Sequence, residues 1–173
     1  GYTGEDGAEL MLGNSAAVSL WKTLIDLGVT PCGLGSRDTL RLEAALPLHG
    51  NEITIETTPV EAGLARFLSY KSEFCGSKRI QNISETGPST HLIGFATASR
   101  GPVPRHDAQI KSSGDIIGKV TSGSYSPTLD RNIGLGYVSA TADLSKDRLV
   151  VAVRDKEVEI EQVALPFYSR KER

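Results

Sequence analysis

Cysteine is nearly missing from this chain: Cys32 and Cys75 are the only two in 173 residues, and they form no C-x-x-C pair. A disulfide-stapled scaffold and a dithiol redox motif are thereby excluded, and reduced thiols in a cytosolic setting are expected. Cys32 borders a glycine-rich loop where a thiol would be reactive, but burial as a small hydrophobe is the stronger expectation. Histidine is as scarce. His49, His91 and His106 make no metal-ligand pattern with the cysteines. Positive charge is not in excess either. A net charge of −2 and a pI near 6.0 argue against a nucleic-acid partner, which would call for a basic face. No apolar run reaches the length of a membrane span. The opening Gly-Tyr-Thr-Gly has neither the basic stretch nor the apolar core of a signal peptide. Internal repeats and low-complexity tracts are lacking as well. What remains is an ordinary soluble composition, 39% hydrophobic and 23% charged, sufficient for one domain or two small ones with a real core.

The most informative stretch runs from Pro31 to Gly50, P-C-G-L-G-S-R-D-T-L-R-L-E-A-A-L-P-L-H-G. A turn punctuated by Gly33 and Gly35 leads to Arg37 and a short helix carrying Leu40, Leu42, Ala44 and Ala45. Ser36 or Asp38 is expected to cap it, and Pro47 to stop it. Arg37 then sits beside a helix start on a loop that lets a ligand approach the backbone; an ordinary salt bridge is the competing reading. Upstream, Gly1 to Leu12 reads as a glycine-rich turn followed by an extended run, with Glu9 facing opposite to Ala8 and Leu10. A helix over about 15–27, capped by Asn14 or Ser15 and closed by Gly28, shows Ala17, Leu20, Trp21, Leu24 and Leu27 on one face, so Trp21 is expected in the core.

Further on, Glu52 to Ile55 is β-prone, and Thr58-Pro59-Val60-Glu61 is a capping-box pattern expected to start a helical piece with Leu64, Phe67 and Leu68. From about residue 77 the texture changes to short β-prone runs between turns. These are His91 to Ala98, Asp107 to Lys111, Ile116 to Thr121, Ile133 to Val138, Leu149 to Arg154 and Val158 to Leu165. Ser112 to Asp115 and Asp155-Lys156 suit hairpin turns. Such spacing predicts a small all-β barrel or sandwich, with a domain boundary near 75–85 and no helix of three or more turns within 90–165.

The motif G-L-G-S-R-D-T-L-R-L-E-A resembles a signature of the aminomethyltransferase family, the T-protein of the glycine cleavage system. The opening G-Y-T-G-E-D-G-A-E resembles that family's other long motif. T-T-P-V-E-A-G-L (57–64), V-T-S-G-S-Y-S-P-T-L (120–129) and L-P-F-Y-S-R (165–170) follow in the family's order. The resemblance covers nearly the whole chain but only the later part of the family's sequence. An opening without Met, inside a motif, leads to the expectation that an upstream part is not included.

The resemblance implies an α+β fold. Residues 1–78 would be the mixed C-terminal part of a folate-binding region, and 79–173 an antiparallel β-barrel of jelly-roll or Greek-key-like type. It also implies a reaction. An H-protein presents an aminomethyl group on its lipoyl sulfur, the methylene passes to N5 of tetrahydrofolate, and ammonia leaves. Glu9 and Arg37 match folate-contacting positions, Tyr2 matches a tyrosine lining the same cavity, and Arg170 is a weaker match. A carboxylate suits the donor edge of a pteridine, and arginines suit anionic or carbonyl groups. The family's catalytic aspartate lies upstream, so no catalytic residue is assigned here. Arg105 is left between an inter-domain salt bridge and substrate contact, and 120–129 between tight barrel turns and a cavity-facing segment. A cytoplasmic site, or the mitochondrial matrix in a eukaryote, is expected. Two rivals stand beside this reading. One is the folate-binding half of a sarcosine- or dimethylglycine-dehydrogenase-like enzyme. The other is a non-catalytic binding module, whose K-G-C-Y-x-G-Q-E-type motif is lacking at Tyr70 to Lys78.

Overall fold

In a computed structural model, residues 1–97, 101–144 and 148–170 are described. Three helices, α1 (Asn14–Asp26), α2 (Leu34–Glu43) and α3 (Ser77–Thr86), precede six strands. The strands are β1 (Thr90–Thr97), β2 (Gln109–Ser112), β3 (Asp115–Ser126), β4 (Arg131–Ser139), β5 (Leu149–Val153) and β6 (Lys156–Val163). They close into an antiparallel barrel in the order β1-β4-β3-β2-β5-β6. The fold is therefore α+β, as expected. Strands β2 to β4 form a meander and β1 reaches across to pair with β4, a Greek-key arrangement. The seam closes between β1 and β6, from Gly94 opposite Val163 to Thr97 opposite Ile160.

Each expected β-run overlaps a strand, because alternation and hairpin residues agree there, although Asp107, Ala108, Arg154, Ala164 and Leu165 lie outside the strands. Ala98, the last residue of the first run, lies outside the described residues. At the β2–β3 hairpin Ser113 and Gly114 both have positive φ, 48° and 92°, the geometry whose twist matches the flanking strands. Ile93, Phe95, Ile110, Val120, Val138, Leu149, Val151 and Ile160 fill the interior. Glycines on β4 make room for the larger of these: a Cβ on Gly134 would lie 2.3 Å from Phe95 Cζ, and one on Gly136 2.7 Å from Ile110 Cδ1. On the outer face Leu42 of α2 packs with Ala96, Ile133 and Leu135. The helix that carries Arg37 is thus fixed to the barrel wall.

The first half departs from several expectations. Residues 1–12 form no strand. Helix α1 is capped by the backbone at Gly13 rather than by Asn14 or Ser15, and Gly28 closes it at φ 85° as expected. None of its residues is buried, and Trp21 is 57% exposed. Of the expected apolar face, Leu20 and Leu24 are part-buried while Ala17, Trp21 and Leu27 are exposed, so it does not form a core face within the described residues. Cys32 and Cys75 are both exposed, against the expectation of burial for Cys32. Glu52 to Ile55 makes only a single bridge, His49 to Ile53. Helix α3 was not expected; it starts after Gly76 and ends at Gly87, both with positive φ.

The capping box forms without the helix it announces. Thr58 N–H donates to Glu61 Oε2 at 2.8 Å and Glu61 N–H to Thr58 Oγ1 at 3.4 Å, yet turns follow, with only a short 3-10 helix at Ala65–Phe67. Thr58→Ala is expected to cost about 0.5–2 kcal/mol in urea denaturation of the chain. Thr58→Ser should keep most of that stability, since the hydroxyl is retained.

Candidate functional site

Helix α2 presents two different arginines. Its start is capped by Gly33 in extended conformation, and neither Ser36 nor Asp38 caps it. The Asp38 carboxylate instead accepts from Arg41 Nε at 2.8 Å, one turn on. The helix ends at Glu43, short of Pro47, where Ala45 turns the chain at φ 54°.

Arg41 points into the protein and is 1% exposed. Its guanidinium donates to Glu52 Oε2 at 3.1 Å, to Leu46 O at 3.4 Å and to Ser122 Oγ on β3 at 2.8 Å. Glu52, fully buried, also accepts from Leu48 N–H at 2.9 Å. Two residues beyond Arg41, Glu43 accepts from the Ser126 hydroxyl and from Thr128 Oγ1 at 2.8 Å. Asn51 Nδ2 adds a bond to Thr121 O at 3.1 Å. In the segment 120–129, Ser122, Ser126 and Thr128 therefore anchor α2. Tyr137 donates to Glu52 O at 2.9 Å; burial, then the charges of Glu52 and Glu61, push its phenol well above the usual range, so it stays protonated. Sequence reasoning missed Arg41, Glu43 and Glu52. Arg41 and Glu43 stand inside the same motif as Arg37, but nothing in the spacing says which charges face inward.

Arg37 is exposed and lies over the Tyr2 ring, its guanidinium carbon 4.7 Å from the centroid. Tyr2, at φ 68°, donates its hydroxyl to Pro47 O at 2.8 Å. Burial is the main cause that lifts its phenol above the usual value, and Arg41 opposes the shift. Gly4 is required beside it: at φ 74° a Cβ would meet Ala44 Cβ at 2.6 Å. Arg170 is bonded to Asp6 and lies 3.7 Å from Glu5, while Tyr168 N–H donates to Glu43 O at 2.9 Å, at the C-terminal end of α2. Three motifs far apart in sequence thus converge on the end of α2.

Glu9 stands apart from this cluster. Its side chain is 72% exposed, and its ion contact is with the Gly1 amino group at 3.9 Å. No hydrogen bond or ion pair joins Glu9 to Arg37 among the described residues. Arg37 itself has no carboxylate partner there, which leaves its charge available. At the barrel, Arg105, His106, Asp107 and Arg154 line a groove of about 490 Å³. Asp107 sits below the usual carboxylate range, chiefly through a hydrogen bond from Lys119 and then through His106. No group of His, Cys, Asp and Glu among the described residues could hold a metal ion, and no described helix is long and apolar enough to cross a membrane.

Comparison with known proteins agrees with this architecture. The family model of the GCVT N-terminal domain matches residues 1–72, and that of the glycine cleavage T-protein C-terminal barrel domain matches 91–169. The chain is 46% identical to aminomethyltransferases of Parasynechococcus marenigrum, over 98% of this chain and 47% of that one, and of Rubrobacter xylanophilus, over 99% and 45%. It is 40% identical to the aminomethyltransferase of Bacillus subtilis, over 98% and 48%. The crystal structure of glycine cleavage system aminomethyltransferase T from Bartonella henselae shares the fold with a TM-score of 0.89 at 35% identity, over 97% of this chain and 48% of that one. The chain spans about half the length of the relatives it matches. With its helical part and its barrel each matched by a model of the same family, the chain belongs to the glycine cleavage T-protein family.

Proposed function

We propose that this chain supplies part of the folate cavity of an aminomethyltransferase. In that reaction the methylene of an aminomethyl group, carried on the lipoyl sulfur of an H-protein, passes to tetrahydrofolate. Ammonia and the dihydrolipoyl carrier are the other products. The observation that carries the reading is the unneutralised Arg37 guanidinium stacked on Tyr2, which brings the opening motif against α2. Tyr2 holds the guanidinium over its ring face, so the fork is oriented before any ligand arrives. A carbonyl or carboxylate of the folate would accept from that fork. Glu9, open in this chain, would accept from the pteridine's donor edge once the cavity is complete, and Arg170 would close the cluster from the C-terminal side. The remaining task of such a site is alignment of two large substrates and exclusion of water from the reactive carbon. Residues 1–78 would form the folate-binding part and 79–173 the barrel domain, in a soluble compartment.

Two measurements test the reading. Supplied with aminomethyl-loaded carrier and tetrahydrofolate, the 173-residue chain alone is expected to form no methylenetetrahydrofolate, since no residue here is assigned as catalytic. In the full-length enzyme carrying this chain, Glu9→Gln should weaken folate binding by roughly 10- to 100-fold, the worth of about 1.5–3 kcal/mol for a charged-group hydrogen bond. Arg37→Lys should also weaken binding or turnover, because an ammonium lacks the planar fork. Parental folate titration and turnover in both variants would sink the assignment.

A further inference from the structure

Just beyond α2, the consecutive residues 46–48 are each fixed by a different side chain. Arg41 donates to Leu46 O at 3.4 Å, and Tyr2 donates its hydroxyl to Pro47 O at 2.8 Å. Leu48 N–H donates to Glu52 Oε2 at 2.9 Å, and that same oxygen accepts from Arg41 at 3.1 Å. The buried pair thus grips the segment on both sides of the carbonyl that holds Tyr2. Tyr2 in turn carries Arg37 over its ring. Burial is the main cause that raises the Tyr2 phenol, and the charges of Arg41 and Glu52 act on it next, which places the pair within electrostatic reach of the ring. A continuous line of contacts therefore runs from a buried ion pair, through Pro47 and Tyr2, to an exposed guanidinium one turn back on the same helix.

Stability alone is a poor account of this arrangement. Apolar residues of similar volume often replace a buried ion pair without loss. Here Glu52 Oε1 is buried with no hydrogen-bond partner among the described residues. Tyr2 at φ 68° and Ala45 at φ 54° adopt a left-handed backbone that a residue with a Cβ keeps only where its surroundings over-determine it. Unfavourable features gathered behind one exposed contact mark a functional site.

We propose that Arg41 and Glu52 are positioning residues for Arg37: by setting the 46–48 segment, and with it the Tyr2 ring, they fix where the Arg37 fork points. This rests on the reading of Arg37 as a folate contact and adds to it two buried residues that act through Tyr2. An ion pair suits the task because charge-assisted hydrogen bonds are directional, and they locate a backbone segment more closely than apolar packing does.

The test uses the full-length enzyme carrying this chain, with Arg41→Met and Glu52→Met together. That variant is expected to fold, since no charge is left buried, but Leu46 O and Leu48 N–H lose their partners. Its KM for tetrahydrofolate should rise at least about tenfold, the size of one misaligned charged hydrogen bond. Its KM for the aminomethyl-loaded carrier should stay within about twofold, a split that general damage would not produce. In an Arg37→Ala background the double replacement should weaken folate no further, because the pair acts through Arg37. A readout free of folate is the Arg37 Nε–H resonance, shifted upfield by the Tyr2 ring in the parent and expected to return to the free-arginine position in the variant. Tyr2→Phe keeps the ring and the buried pair and removes only the bond to Pro47. It should move the same resonance, and it carries the test if the double variant does not fold. An unmoved Arg37 resonance in the folded variants would overturn the proposal. So would parental folate affinity in the double variant while Arg37→Ala weakens it, or a loss that adds fully to that of Arg37→Ala. If Arg37→Ala binds folate as the parent does and the resonance still moves, the folate reading falls and the positioning stands.

Discussion

Arg41→Ala is expected to lower the stability of the chain by about 3–5 kcal/mol, the range for breaking one side of a buried ion pair. The midpoint of thermal unfolding should then fall by about 6–20 °C for a chain of this size. The cost arises at Glu52, which is fully buried and whose Oε1 already lacks a hydrogen-bond partner. Without the guanidinium its carboxylate is left uncompensated, and Ser122 Oγ and Leu46 O lose a donor as well. Arg41→Lys keeps the charge but serves fewer of these acceptors, so part of the loss should remain. Replacing both Arg41 and Glu52 by Met should cost far less than Arg41→Ala alone, because an apolar pair of similar volume leaves no charge buried. Urea denaturation of the three variants decides the matter. Equal stability of Arg41→Ala and parent would show that this pair does not hold α2 to the barrel.

Inside the barrel, Phe95→Ala is expected to cost about 3–5 kcal/mol, since its fully buried ring would leave a cavity that the closed sheet cannot collapse. Gly134→Ala should cost about 1–3 kcal/mol or more by overpacking, the new methyl meeting Phe95 Cζ at 2.3 Å and Ser122 O at 2.8 Å. The two changes share one space. Gly134→Ala with Phe95→Leu should therefore be more stable than Gly134→Ala alone, and a double-mutant cycle in urea measures the coupling. Strictly additive costs would contradict the contact.

The barrel was largely legible in the sequence because three signals coincide there: period-two alternation, β-branched residues and hairpin turns such as Ser113-Gly114. Helix α3 was not, since Ile80 and Ile83 are its only apolar residues and its flanks, Gly76 and Gly87, look like turn residues in isolation. For α1 the period was right and the burial wrong. Periodicity reports that a face is apolar; the cover comes from chain elsewhere. In α2 the exposed Arg37 was singled out while Arg41, four residues on, carries the packing. Which of two arginines on a helix faces inward depends on Glu52 and Ser122, distant in sequence, and no local rule contains them. Of the expected site residues, Tyr2 and Arg37 are in contact and Arg170 pairs with Asp6 and Glu5 of the opening motif, and only the motifs' order, not their spacing, hinted at that.

Barrel closure also has a consequence for biosynthesis. Strand β6 is the last of the six to leave a ribosome, and until it does the sheet can be assembled only as β1-β4-β3-β2-β5. In that interval β1 and β5 are open edges. Strand β5, Leu-Val-Val-Ala-Val, is a short apolar run of high β-propensity, the kind that recruits other chains. Arg148 before it and Arg154 after it place a like charge at each end, which opposes edge-to-edge pairing of nascent copies. The closing strand, Lys-Glu-Val-Glu-Ile-Glu-Gln-Val, alternates charge with its inward residues and stays soluble while it waits. When it docks, Glu159 meets Arg148 and both edges disappear together.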